Sequence, residues 1–256
     1  MRNPKRGIAK FVVACALTTV AGCSPIPEFG EAPVAEVYEV GVDAASRGDY
    51  LVAIEAFKRI TNQWPMDDLA DDALLGLADA YREIDDGAMA EAEYLRLMVD
   101  YPRSPLIADA EYKLGLVYLG QSRPSALDQA NTLEAIEQFN RFLSRYPDSE
   151  HAADARGHVR DLRGRLAEKE LASAELYMTL GNPSAARVYY EAVATDYSDT
   201  PAAVKALLGV VRSYVAGGDR TAAVAALERI EEAFPSSGEA AEAAAAVAAM
   251  GSTPGE

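Results

Sequence analysis

Ala135-Ile136-Glu137-Gln138-Phe139-Asn140-Arg141-Phe142-Leu143-Ser144-Arg145-Tyr146-Pro147-Asp148-Ser149 sets a small residue, an aromatic four places on, and an aromatic-proline turn eight beyond that. The arrangement recurs. Turns at Trp64-Pro65, Tyr101-Pro102, Tyr146-Pro147, Tyr197-Ser198 and Phe234-Pro235 are each preceded, at twelve residues, by Ala53, Ala90, Ala135, Ala186 or Ala223. At eight residues stand Phe57, Tyr94, Phe139, Tyr190 and Leu227. Ahead of the alanines come Ala44, Tyr81, Tyr118, Tyr177 and Tyr214. A small residue lets two helices approach closely, an aromatic fills the space between neighbouring pairs, and proline ends a helix because it lacks an N–H and clashes with the preceding turn. The acidic and hydroxyl residues after each turn are good N-caps for the next helix.

These offsets resemble the tetratricopeptide repeat, a helix-turn-helix unit of 34 residues. The resemblance implies an all-α, right-handed solenoid of five helix pairs over residues 34–250, closed by a C-terminal capping helix in the alanine-rich stretch Glu239 to Met250. Successive turns lie 37, 45, 51 and 37 residues apart, so two repeats carry insertions. The first includes Gly120, Pro124 and Asn131 and reads as an extended loop. The second lacks proline and reads as a first helix of about eight turns in the fourth pair. Residues 251–256 read as a flexible tail.

The chain begins differently. Arg2, Lys5, Arg6 and Lys10 precede an apolar run from Phe11 to Val20, too short to span a bilayer, so residues 1–22 read as a cleaved secretory signal. Val20-Ala21-Gly22-Cys23 resembles the lipobox of bacterial lipoproteins, whose cysteine thiol takes up a diacylglyceryl group. Cys23 is then the lipidated N-terminus, and residues 23–33, with Pro25 and Pro27, form a tether. About ten residues of tether keep the first helix within about 35 Å of the membrane. In such lipoproteins an aspartate after the cysteine commonly means retention in the inner membrane; Ser24 here implies the outer membrane. The other cysteine, Cys15, leaves with the signal, so stability rests on packing rather than a disulfide.

Loss of the signal takes the net charge from −16 to −20, which excludes nucleic acid as a partner. No nucleotide loop, zinc-protease motif or nucleophile elbow is present, so no catalytic residue and no cofactor are expected. His151 and His158, seven apart, share one helix face without a third ligand; exposed positions and no metal are expected. Asp67-Asp68 and Asp71-Asp72 fall where a helix begins and suit its dipole better than acid/base catalysis.

Binding is the stronger prospect. The first helices of a tetratricopeptide stack line its concave face, and the repeat register puts Tyr38, Leu75 and Tyr112 at one position there, with Asp72 and Asp109 at a second and Asp79 nearby. An apolar strip edged by carboxylates suits an extended peptide carrying aromatic side chains. Arg156, Arg160 and Arg163, at helical spacing on the long helix, read as a protein-docking face or as a solvated one knitted to nearby acids.

Besides the lipobox, the strings Ala135-Ile136-Glu137-Gln138-Phe139, Tyr146-Pro147-Asp148-Ser149, Leu162-Arg163-Gly164-Arg165-Leu166-Ala167, Ala174-Glu175-Leu176-Tyr177 and Asp196-Tyr197-Ser198-Asp199-Thr200 are, in this order, similar to the BamD family of assembly lipoproteins. The resemblance implies a non-enzymatic lipoprotein on the periplasmic face of the outer membrane. It would work with a BamA-like β-barrel assembly protein and other assembly lipoproteins on unfolded outer-membrane proteins. Substrate peptides would meet the N-terminal repeats, around Tyr38 and Tyr112, and the partner subunit the C-terminal ones. A Tol-Pal-associated adaptor or a peptidoglycan-related scaffold are the alternatives.

Overall fold

The computed structural model describes residues 30–122 and 129–251. The signal segment, Cys23, most of the tether, Pro124 and residues 252–256 lie outside them. Among the described residues there are eleven helices and no strand: α1 Val34–Ser46, α2 Tyr50–Gln63, α3 Ala70–Glu83, α4 Gly87–Asp100, α5 Ile107–Gln121, α6 Ala130–Arg145, α7 Ala152–Thr179, α8 Pro183–Asp196, α9 Ala202–Ala216, α10 Arg220–Ala233 and α11 Gly238–Ala249. They stack as five consecutive pairs, and α11 packs on α9 and α10 as a cap. The long helix of the fourth pair, α7, has 28 residues, or roughly eight turns.

The repeated alanines Ala53, Ala90, Ala135, Ala186 and Ala223 are fully buried. Glycines make the closest approach. A Cβ on Gly41 would stand 2.6 Å from the Phe57 ring of the same pair, and one on Gly76 would stand 2.8 Å from that ring across the boundary between pairs. Phe57 is therefore clamped between two bare helix backbones. Phe139 meets one glycine, Gly115 of its own pair, and Tyr190 one, Gly209 of the next.

The turns within the first, second, fourth and fifth pairs reverse through one left-handed residue, Gly48, Asp85, Gly181 and Gly218 respectively, of which only Asp85 carries a side chain at positive φ. Asp86, Asn182 and Asp219 then cap the second helices by accepting from the backbone N–H of Met89, Ala185 and Ala222. Turns between pairs differ from expectation. Asp67, Ser104 and Ser149 accept from the N–H of Leu69, Leu106 and His151, two residues on, and are not the N-caps of α3, α5 and α7. A short turn separates the proline from each helix, and these side chains satisfy its donors instead. Ser237 does act as the N-cap of α11.

Candidate functional site: the N-terminal concave groove

α1 and α3 face each other over the Phe57 ring and enclose a groove of about 260 Å³. Tyr38, Leu75, Asp72 and Asp79 line it together, as their shared register implies, and Val42, Tyr50 and Glu83 complete its walls. The half-buried Tyr38 ring lies 5.9 Å from that of Phe57 at 55°, an inclined aromatic pair in the wall of the groove. Gly76 leaves the floor open, because a side chain there would collide with Phe57.

The acids around the groove are not equivalent. Burial, reinforced by Asp71, pushes the Asp72 carboxyl above its usual range, and burial with Asp72 nearby raises the Tyr38 phenol. Asp79 accepts 2.6 Å from the buried Tyr94 hydroxyl and 2.7 Å from Lys113 Nζ. Its charge is spoken for, whereas Asp72 has no ion pair among the described residues and faces the groove.

Lys113 bridges to Asp109 at 2.9 Å, and Asp109 meets His151 Nε2 at 3.1 Å. Here the structure departs from the expected continuous strip. Tyr112 is buried, with Phe139 and Phe142 at 5.9 and 5.6 Å and His151 stacked on it at 4.3 Å and 2°. His158 lies 5.1 Å from Phe139. The two histidines do share a face, but they are half-buried rather than exposed, because α7 crosses the third pair and presses them onto its aromatics. Asp109 and Tyr112 thus belong to a second cluster, joined to the groove by Lys113. Lys113 was not a candidate from the sequence, although the 37-residue register that places Tyr112 also places Lys113 one residue along. Among the described residues, no group of three or more His, Cys, Asp or Glu side chains is placed to hold a metal.

The three arginines of α7 diverge. Arg163 is committed within the fold: it forks onto the Asp199 carboxylate at 2.6 to 3.1 Å, donates to the Asp196 carbonyl and lies 5.4 Å from the Tyr197 ring centre. Arg156 donates to the Pro147 carbonyl at 3.1 Å. Arg160 is exposed and, with Arg165 and Lys205, lines a separate groove of about 380 Å³. The hydrogen bonds from Arg163 hold the Asp199 carboxyl below its usual range. A depressed acid stabilises the fold above its unfolded value, and that contribution disappears as pH falls through the folded value. The gap between thermal melts of the parent and Arg163→Ala chains should therefore be widest at pH 7 and narrow as pH falls below about 4, down to what the Asp196 carbonyl and Tyr197 contacts contribute. A gap that stays constant down to pH 2 would show that the pair adds nothing.

Five stacked helix pairs with a groove between the first helices of the first two pairs make a helical-repeat protein of the tetratricopeptide-like class. The family described as YfiO, outer membrane lipoprotein, matches residues 30–223, and the chain belongs to that family. Similar proteins include an outer membrane protein assembly factor BamD from Caulobacter vibrioides, 29% identical over 221 residues and covering 84% of this chain and 72% of the relative. Another of that name, from Vibrio cholerae, is 30% identical over 203 residues, covering 75% and 84%. No helix among the described residues is long and apolar enough to cross a membrane.

Proposed function

We propose that this chain is a non-enzymatic lipoprotein subunit of the outer-membrane β-barrel assembly machinery, anchored through Cys23 on the periplasmic face. It holds segments of unfolded outer-membrane proteins in the groove between α1 and α3. The groove carries this reading: one half-buried tyrosine, one leucine and one carboxylate with no ion pair among the described residues converge on a cavity sized for one or two side chains. Family membership supports the lipoprotein part, and the name shared by the relatives favours barrel assembly over a Tol-Pal or peptidoglycan adaptor. Asp72 selects against anionic segments, while Asp79, Asp109 and Tyr112 stiffen the groove from its C-terminal side. The chain needs no cofactor for this work.

The test is fluorescence anisotropy with labelled peptides from outer-membrane proteins, rich in aromatic residues and free of net negative charge. Tyr38→Ala with Leu75→Glu should raise Kd at least tenfold, about 1.4 kcal/mol, without loss of helical circular dichroism. Unchanged affinity would rule out the groove.

Docking of a BamA-like barrel protein falls to the long helix. Arg160 and Arg156 are the contributors on its exposed side, and Arg163 orders the α8–α9 turn beside them. Charge reversal at Arg156 and Arg160 that left BamA-type co-purification intact would remove this face from the reading. Palmitate labelling lost in Cys23→Ala tests the anchor.

A further inference from the structure

The first helix of each pair has two contact stripes, one against its own second helix and one against the pair before. The register makes the second stripe explicit. Ala80 in α3, Val117 in α5 and Ser213 in α9 each stand one residue before a repeat tyrosine and are 2%, 4% and 0% exposed. Four residues before Ala80 and Ser213 lie Gly76 and Gly209, beneath the Phe57 and Tyr190 rings of the preceding pair. In the fourth pair the same place belongs to Leu176, and it is 58% exposed; Leu180, one turn on, is 67% exposed. Ala172, in the place of the two glycines, is exposed as well.

The cause is the length of α7. Its N-terminal half sends Ala155, Val159 and Leu162 into the cluster built on Phe139 and Phe142 of α6. Its C-terminal half sends Ala167, Leu171 and Ala174 into the core of α8 to α11. Helical periodicity carries the first stripe onward through Ser173, Leu176 and Leu180, but α6 has only 16 residues against 28 and does not follow it. The overhang keeps a seat for a preceding helix with none of the described helices in it.

We propose that the overhanging half of α7 is a docking seat for an amphipathic helix of a partner protein, one that places an aromatic side chain over Ala172 and aliphatic ones on Leu176 and Leu180. The occupant is specified by the sibling seats. In the second and fifth pairs the equivalent surface is covered by a helix, α2 or α8, that sets a ring against the residue in the place of Ala172. Glu170 and Glu175 outnumber Lys169 on this stretch of α7, and the chain without its signal carries a net charge of −20, so a partner helix with basic margins fits better than a second copy of this chain. The seat is independent of what the N-terminal groove holds.

Photocrosslinking in the bacterial envelope tests this, with benzoylphenylalanine in place of Leu176 or Leu180 in the full-length lipoprotein and sequencing of the joined peptides. The expected result is capture, from both positions, of residues three or four apart in a single segment of one other protein. The Leu180 crosslink should be lost on adding Leu176→Glu, while circular dichroism and the thermal midpoint stay unchanged. Crosslinks confined to lipid, to residues 123–128 of the same chain or to a second copy would overturn the proposal, as would no crosslink at all.

Discussion

Replacing Phe57 by alanine should destabilise the N-terminal pairs by about 3–5 kcal/mol, read as a shift of the urea midpoint followed by circular dichroism. Phe57 is 2% exposed, and its ring is the common wall of Gly41 in its own pair and Gly76 in the next. Truncation therefore removes the transfer energy of a buried aromatic and opens a cavity at a boundary between pairs, where bare backbones have no side chains to relax into it. Leu51→Ala, on the exposed side of α2, should stay within about 0.5 kcal/mol. The clamp also makes a statement about coupling. Gly76→Ala alone should cost about 1–3 kcal/mol by overpacking, and most of that should vanish in a Phe57→Leu background. Additive costs would show that the ring and the glycine do not share one space. Because pairs interact mainly with their neighbours, the loss should appear first in the N-terminal half of the solenoid.

The second large effect concerns a charge in the core. Glu111 on α5 stands in the register place of Val37 and Leu74, both fully buried, and is itself 1% exposed. One carboxylate oxygen is paired with Arg145 Nη1 at the end of α6, and the other, Oε2, has no hydrogen-bond partner. Removing the partner leaves a buried charge uncompensated, so Arg145→Ala should cost about 3 kcal/mol, the lower end of the usual range because Arg145 is more than half exposed. Glu111→Leu restores the residue type of the sibling pairs and should be neutral or stabilising by about 1–4 kcal/mol. The double variant should therefore recover the loss. An Arg145→Ala chain as stable as the parent would mean that the carboxylate is not held as a buried ion. Gln138, which donates to the Glu111 carbonyl at 2.9 Å, remains in place in every variant.

Much of the fold was legible because a tetratricopeptide-like pair is specified locally. An alanine, an aromatic four residues on and a turn eight beyond it define two helices and their contact, and five copies define a stack whose members touch their neighbours. The length of α7 was legible from an insertion without proline, and the convergence of Tyr38, Asp72, Leu75 and Asp79 from the common register. What failed to show was every feature in which one pair differs from its siblings through a distant partner. Asp79 read as one of the carboxylates edging the strip, but Lys113, 34 residues away, pairs with it. Tyr112 read as a rung of an open strip, but His151 of the next pair covers its ring. Arg163 read either as part of a docking face or as part of a solvated face knitted to nearby acids, and Asp199 with the Asp196 carbonyl takes its guanidinium.

The sequence by itself determined the helices, their pairing and the repeat position of each groove residue, since these follow from spacings of four, eight and twelve residues that any local segment reads out. Only the tertiary structure decided which carboxylates are paired, which aromatics are open and which stripe of α7 is left uncovered. Those outcomes depend on where a 28-residue helix crosses a 16-residue one, and on which long side chains then come within hydrogen-bond reach. The register is periodic, whereas the crossing occurs once and is set by the packing of whole helices.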